Sequence, residues 1–325
     1  MPQSSIYYAC GRIGVLNRTA LNTSQIDRLM MSHSYEDACK TLSDMGYMVA
    51  GNTDFQQAAD EHVKKACNIV RELTTMPELT DLFVLRYDIH NLKVLLKSRY
   101  LGQKPEYLST CGTMDVEMLR HAVAEHRYSA LCPILRETME SLEKALVKSF
   151  DALLIDARLD QAMYQLVDEN LKKLKVPKAK EYFTAKADLQ NIIILLRVRA
   201  MHKPLSFYQN LILPGGKMAI KELTAAFDDE EKLISLVRRY GVKVCEAASK
   251  AVDDARKLPF LEKATDDYLM GLFADTKYQT NSIDVLIAYL LRTQRSALNV
   301  RLILTGKLNN FGETELKERV RDMHG

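Results

Sequence analysis

The chain is 325 residues long, with 47% hydrophobic and 27% charged residues, 13 Gly, 8 Pro and no Trp. That is enough to bury a sizeable core, and too apolar for a disordered or low-complexity protein. Forty-five basic against 42 acidic side chains leave a net +3, a balance that advertises neither nucleic acid nor an anionic bilayer as partner.

Cys10, Cys39, Cys67, Cys111, Cys132 and Cys245 form no C-x-x-C pair, so they read as reduced, mostly buried thiols of a cytoplasmic protein. The opening MPQSSIYYACGRIG lacks a charged start before an apolar core, and no signal peptide is expected. Apolar runs such as 192–196 and 285–291 are far too short to span a bilayer.

Helical periodicity runs through nearly the whole chain. Thr23 reads as the N-cap of SQIDRLMM, and Ser34 as that of YEDACKTLSDMGY, which closes near Gly46. Helices follow over 56–74, from Pro77 to about Gly102, and over 114–124. Pro133 opens one long amphipathic helix through residue 167. Pro177, Pro204 and Pro214-Gly215-Gly216 punctuate the second half, and IIILL at 192–196 belongs to a helix, not a strand. The tail 312–325 mixes Glu and Arg at helical spacing and reads as a solvated terminal helix.

The informative signal is an internal repeat. DIHNLKVLLKSR from Asp88, DLQNIIILLRVR from Asp188 and SALNVRLILTGK from Ser296 align without a gap. Asparagine recurs at Asn91, Asn191 and Asn299, spaced 100 and 108 residues apart, and a basic residue stands eight positions after each: Arg99, Arg199 and Lys307. At about 100° per residue the shared apolar positions form one wide face that also carries Asp88, Asp188 and the asparagines. Buried polar groups need partners. These side chains are therefore expected to tie each helix to a neighbouring backbone or side chain, the sharper alternative being ligands around a central cavity. The terminal basic residues suit a helix C-terminus.

Catalytic signatures are missing. LPGGKMAI lacks the first glycine and the hydroxyl of a phosphate-binding loop, and no G-x-S-x-G or H-E-x-x-H occurs. His121 and His126, five apart, do not share a helical face as zinc ligands would. Asp156 and Asp160 do share one, and read as solvated or inter-helix contacts rather than an acid/base pair. The stretch 168–203 holds nine basic and four acidic residues, concentrated in LKKLKVPKAKEYF. It reads as a polar inter-helix segment, with a phosphate-tracking patch using Tyr182 or Phe183 as the alternative.

Together the YYACGRIGVLNRTALN opening, SYEDACKTLSDMGY, RYDIHNLKVLLKSRYLG, the LILPGGKM turn and AYLLRTQRSALNVRLILTGKL resemble the C subunits of prokaryotic V/A-type rotary ATPases, whose eukaryotic counterpart is the d subunit. The likeness covers essentially the whole chain. Ser296 departs from it where the first two repeats have aspartate, and Ile193 and Thr305 fall where another copy has a basic residue. The resemblance implies an all-α, noncatalytic protein of three pseudo-threefold helical repeats, 1–104, 105–203 and 204–325, forming a funnel. It implies a rotor subunit peripheral to the membrane on its cytoplasmic face, a socket between central shaft subunits and the proteolipid ring. No cofactor, metal or nucleic acid is expected, and ion-binding carboxylates would lie in the ring. Partner contacts are expected at Arg99, Arg199 and Lys307 and in the loop at Gly215 and Gly216. A freestanding helical-repeat adaptor is the alternative, and a metal-dependent hydrolase using Asp88, Asp188 and nearby histidines a more distant one.

Overall fold

A computed structural model describes residues 5–17, 20–49, 51, 53–74, 76–105 and 107–323. Among these residues every regular element is helical, as the periodicity leads one to expect. In chain order the α-helices are α1 (Ile6–Leu16), α2 (Thr23–Met30), α3 (Tyr35–Asp44), α4 (Phe55–Leu73), α5 (Pro77–Leu101), α6 (Val116–Ala124), α7 (Pro133–Leu146) and α8 (Ala152–Leu174). They continue with α9 (Pro177–Ala200), α10 (Leu205–Gln209), α11 (Ile220–Ala225), α12 (Glu230–Val237), α13 (Val242–Asp253), α14 (Leu258–Gly271), α15 (Ile283–Leu308) and α16 (Glu313–Arg319).

Local chemistry sets most of the boundaries. Ser34 accepts from the Asp37 N–H at 3.1 Å, and Asp54 and Asp115 cap α4 and α6 in the same way. At α2 the cap is Asn22, one residue before the expected Thr23. Its side chain accepts from the Gln25 N–H at 3.0 Å while the Gln25 side chain accepts from the Asn22 N–H at 2.9 Å, so two orphan donors are satisfied together. Proline opens α5, α7 and α9, where its missing N–H is not needed.

The long helix expected over 133–167 is broken between Leu146 and Ala152. Val147 is exposed there, and Asp151 starts the new helix by accepting from the N–H groups of Leu153 and Leu154 at 2.9 and 3.2 Å. Neither Pro nor Gly marks the break. Folding α8 back onto α7 lets both helices bury their apolar faces against each other. The expected solvated terminal helix is also corrected: α16 is short, and Leu316 and Val320 are buried in a cluster with Val300, Ile303 and Leu304 of α15.

The chain divides into two compact units, residues 1–80 with 259–325, and residues 81–258. In the first, α15 lies along α4 and contacts α1, α2, α3 and α16. Arg301 of α15 reaches Asp60 and Gln56 of α4, and Arg295 reaches the Asp266 carbonyl and the Asp267 carboxylate. In the second, α9 packs on α8, α10 and α12. The run Ile192, Ile193, Leu195 and Leu196 is buried, the pattern of a helix enclosed on most sides. Phe83 of α5 meets Tyr182 and Phe183 of α9 at ring-centroid distances of 5.3 and 4.8 Å.

Candidate functional site

The aspartates and asparagines of the repeat are buried, between 0% and 1% exposed. On α5, Asn91 donates to the Ser109 carbonyl and accepts from the Ser109 N–H, both at 2.8 Å. One helical turn earlier, Asp88 accepts from the Thr113 N–H at 2.9 Å, the Thr113 hydroxyl at 3.0 Å and the Met114 N–H at 3.0 Å. Burial pushes the Asp88 carboxyl above its ordinary value, against the pull of these donors. The two side chains together clamp loop 109–114 onto the helix.

The same clamp recurs on α9. Asn191 donates to the Leu213 carbonyl at 3.0 Å and accepts from its N–H at 2.8 Å. Asp188 accepts from the N–H groups of Lys217 and Met218 at 3.0 and 2.9 Å, and from the Tyr240 hydroxyl. The expected partner-facing glycine Gly216 lies inside this clamp: a Cβ there would run into the Asp188 carboxylate, as one at Gly112 would run into Asp88. Gly215 takes a φ of 87°, a backbone that suits glycine. On α15 the asparagine half persists. Asn299 donates to the Arg321 carbonyl and accepts from the Arg321 N–H, each at 2.9 Å.

Arg99, Arg199 and Lys307 stand in the last turns of α5, α9 and α15. Arg99 donates to the Val123 carbonyl and to both oxygens of Glu143, which also accepts from the Tyr100 and Tyr128 hydroxyls. Burial opposes the charge on Glu143, but Arg99 and Tyr128 outweigh it and hold the carboxyl below its usual range. Arg199 donates to Glu230 at 2.9 Å, and Lys307 to the Ser32 carbonyl.

Asp156 and Asp160 form an inter-helix ladder, paired with Lys97 and Lys93 of α5 at 2.6 Å each. Tyr182 and Phe183 pack on Phe83 in the core, so they offer no platform for stacking bases. His126 Nδ1 is 3.3 Å from Glu143. Among the described residues no group of three His, Cys, Asp or Glu side chains could hold a metal ion. None of these helices is long and apolar enough to cross a membrane.

Periodicity did not single out the loop half of the clamps. Its trace is present all the same: Ser109-Thr-Cys-Gly112-Thr-Met114 and Leu213-Pro-Gly-Gly216-Lys-Met218 place the asparagine-bound residue, the cradle glycine and a methionine at equal spacing. The work such clamps do is mechanical: they fix long helices to their following loops through buried, satisfied polar groups.

Residues 9–319 match the ATP synthase (C/AC39) subunit family. The chain is 26% identical to the C subunit of the V-type sodium ATPase of Enterococcus hirae over 83% of each chain. It is 22% identical to the C subunit of the A-type ATP synthase of Haloquadratum walsbyi, over 92% of this chain and 90% of that one. With the corresponding A-type ATP synthase protein of Thermococcus onnurineus the identity is 23%, over 98% and 89%.

Proposed function

The chain belongs to the ATP synthase (C/AC39) subunit family, and on that premise we propose that it is the noncatalytic central-stalk rotor subunit of a V/A-type ATPase. In this role it is a socket that joins the rotating shaft to the membrane proteolipid ring, for ATP-linked transport of protons or sodium ions. It stands on the cytoplasmic face of the membrane as a peripheral subunit, built as a funnel from the helical repeats 1–104, 105–203 and 204–325.

The observation that most supports this reading is the recurrent clamp at Asn91, Asn191 and Asn299. A torque coupler needs stiff elements in a close-packed interior that transmits strain. Buried amides that pin 24- to 26-residue helices to their loops supply that stiffness.

Partner contacts fall at the ends of the long helices. Arg99, Arg199 and Lys307 each have an exposed apolar neighbour, Leu101, Met201 and Leu308, the mixture of anchor and charge found at protein interfaces. The loop at Gly215 and Gly216 adds a further contact. The test is affinity capture of the protein from gently solubilised membranes, read by mass spectrometry. Co-purification of a small, very apolar proteolipid with shaft and nucleotide-binding subunits supports the rotor. Stoichiometric recovery of soluble partners alone overturns it in favour of a freestanding adaptor.

A further inference from the structure

The balanced net charge of the chain hides a local imbalance. Residues 172–180, Lys-Lys-Leu-Lys-Val-Pro-Lys-Ala-Lys, hold five lysines and no acid. They span the end of α8, the two-residue link 175–176 and the start of α9, with Lys175 closing α8 at a φ of 52°. Folding sorts the stretch cleanly: Leu171, Val176 and Ala179 are buried, whereas Lys172, Lys173, Lys175 and Lys180 are exposed and Lys178 is half-buried. Lys172 pairs with Asp168 at 2.7 Å. The first turn of α9 carries no acid, unlike those of α5 and α15, which hold Glu78 and Asp284. Lys172, Lys173 and Lys175 suit the C-terminal end of α8. Lys178 and Lys180, however, stand at the start of α9, where the helix dipole favours acids, and crowding like charges there is unfavourable.

We propose that the α8–α9 turn is an electrostatic contact for an anionic lipid surface. The side chains are all lysine, compact charges on flexible stems that suit a fluid array of phosphate headgroups. A shaped carboxylate or phosphate pocket is better read by the planar fork of arginine. A single-stranded nucleic acid would call for stacking rings, and Tyr182 and Phe183 are committed to the core. No large apolar side chain of 172–180 is exposed, so the contact is made by charge without insertion. This contact is independent of the rotor role, since it involves only the isolated chain and a lipid surface.

The test is cosedimentation of the full chain with phosphatidylcholine vesicles that contain about one-third phosphatidylglycerol. Two quadruple variants accompany the parent: Lys173→Gln/Lys175→Gln/Lys178→Gln/Lys180→Gln, and a control with the same loss of charge at the exposed Lys64, Lys65, Lys221 and Lys243. Circular dichroism melts verify that both fold as the parent does. The parent is expected to bind at low salt and to release at roughly 0.5 M salt, where the Debye length falls below about 5 Å. The turn variant should bind two to three orders of magnitude more weakly, about fivefold for each lysine, and the control within about tenfold of the parent. Equal binding to pure phosphatidylcholine, or equal losses in the two variants, overturns the proposal. So does failure to bind vesicles while retaining polyglutamate, which would assign the turn to an acidic protein segment.

Discussion

Asn91 and Ser109 are joined by a reciprocal pair of hydrogen bonds, 2.8 Å in each direction, between a helix side chain and a loop backbone eighteen residues later. Asn191 with Leu213 and Asn299 with Arg321 repeat the relationship at a separation of 22 residues. An asparagine can do this because its amide holds a donor and an acceptor side by side, matching the C=O and N–H of one residue. Leucine has similar bulk but neither group, and leaves a buried carbonyl and N–H unpaired at about 1–3 kcal/mol each. Asn91→Leu, Asn191→Leu and Asn299→Leu should therefore each lower the unfolding free energy by roughly 2–4 kcal/mol in urea titrations. ATP hydrolysis by the isolated catalytic head should be unchanged.

Glycines of this chain differ in what an added side chain would meet. At Gly112 and Gly216 an added Cβ meets a carboxylate that its own donors hold in place. Gly112→Ala and Gly216→Ala should each destabilise by about 2 kcal/mol, because the aspartate has to give up backbone donors to make room. Gly11 in the middle of α1 has open space around its Cβ position. Gly11→Ala should stabilise the protein by up to about 1 kcal/mol through helix propensity. Thermal melts of the three variants would read opposite signs.

Glu143 predicts a pH dependence. Burial works against its ionisation, but Arg99, Tyr128 and Tyr100 hold the folded carboxyl below its ordinary value of 4.5. A carboxyl depressed by folding contributes stability above its unfolded pKa and loses it as pH falls through the folded one. Glu143→Gln should therefore cost about 2 kcal/mol at neutral pH. The gap between parent and variant should shrink below pH 4.5 as the parent protonates. Unfolding curves that stay parallel down to acid pH would show that the charge on Glu143 contributes nothing.

The Lys97–Asp156 and Lys93–Asp160 ladder should be weak, since both carboxylates are 38% exposed. A double-mutant cycle with Lys97→Ala and Asp156→Ala should return a coupling energy of about 0.5–1 kcal/mol. That coupling should decline at high salt.

These elements differ in how legible they are before folding. The apolar face of α5, α9 and α15, with Asp88, Asn91, Asp188, Asn191 and Asn299 placed on it, follows from helical periodicity, because each helix carries its own phase. The recipients of those side chains are not periodic: Ser109, Leu213 and Arg321 lie in irregular chain, and their backbone groups exist whatever the residue. The break between α7 and α8 is invisible for a related reason. Residues 147–151 are compatible with helix, and it is the gain from packing α8 back onto α7 that ends the first helix. In the tail, the Glu and Arg spacing suggests a solvated helix, whereas the burial of Leu316 and Val320 on α15 decides its course.

Local sequence thus sufficed for helix class, for most helix starts through caps and prolines, and for the polar signature of the repeat, since these depend on residues within a few positions of one another. Which loop each asparagine grips, and why Gly112 and Gly216 can carry no side chain, depend on residues brought together from well apart in the chain. Such pairings leave no period in the chain. They are settled when burial forces every enclosed donor and acceptor to find a partner.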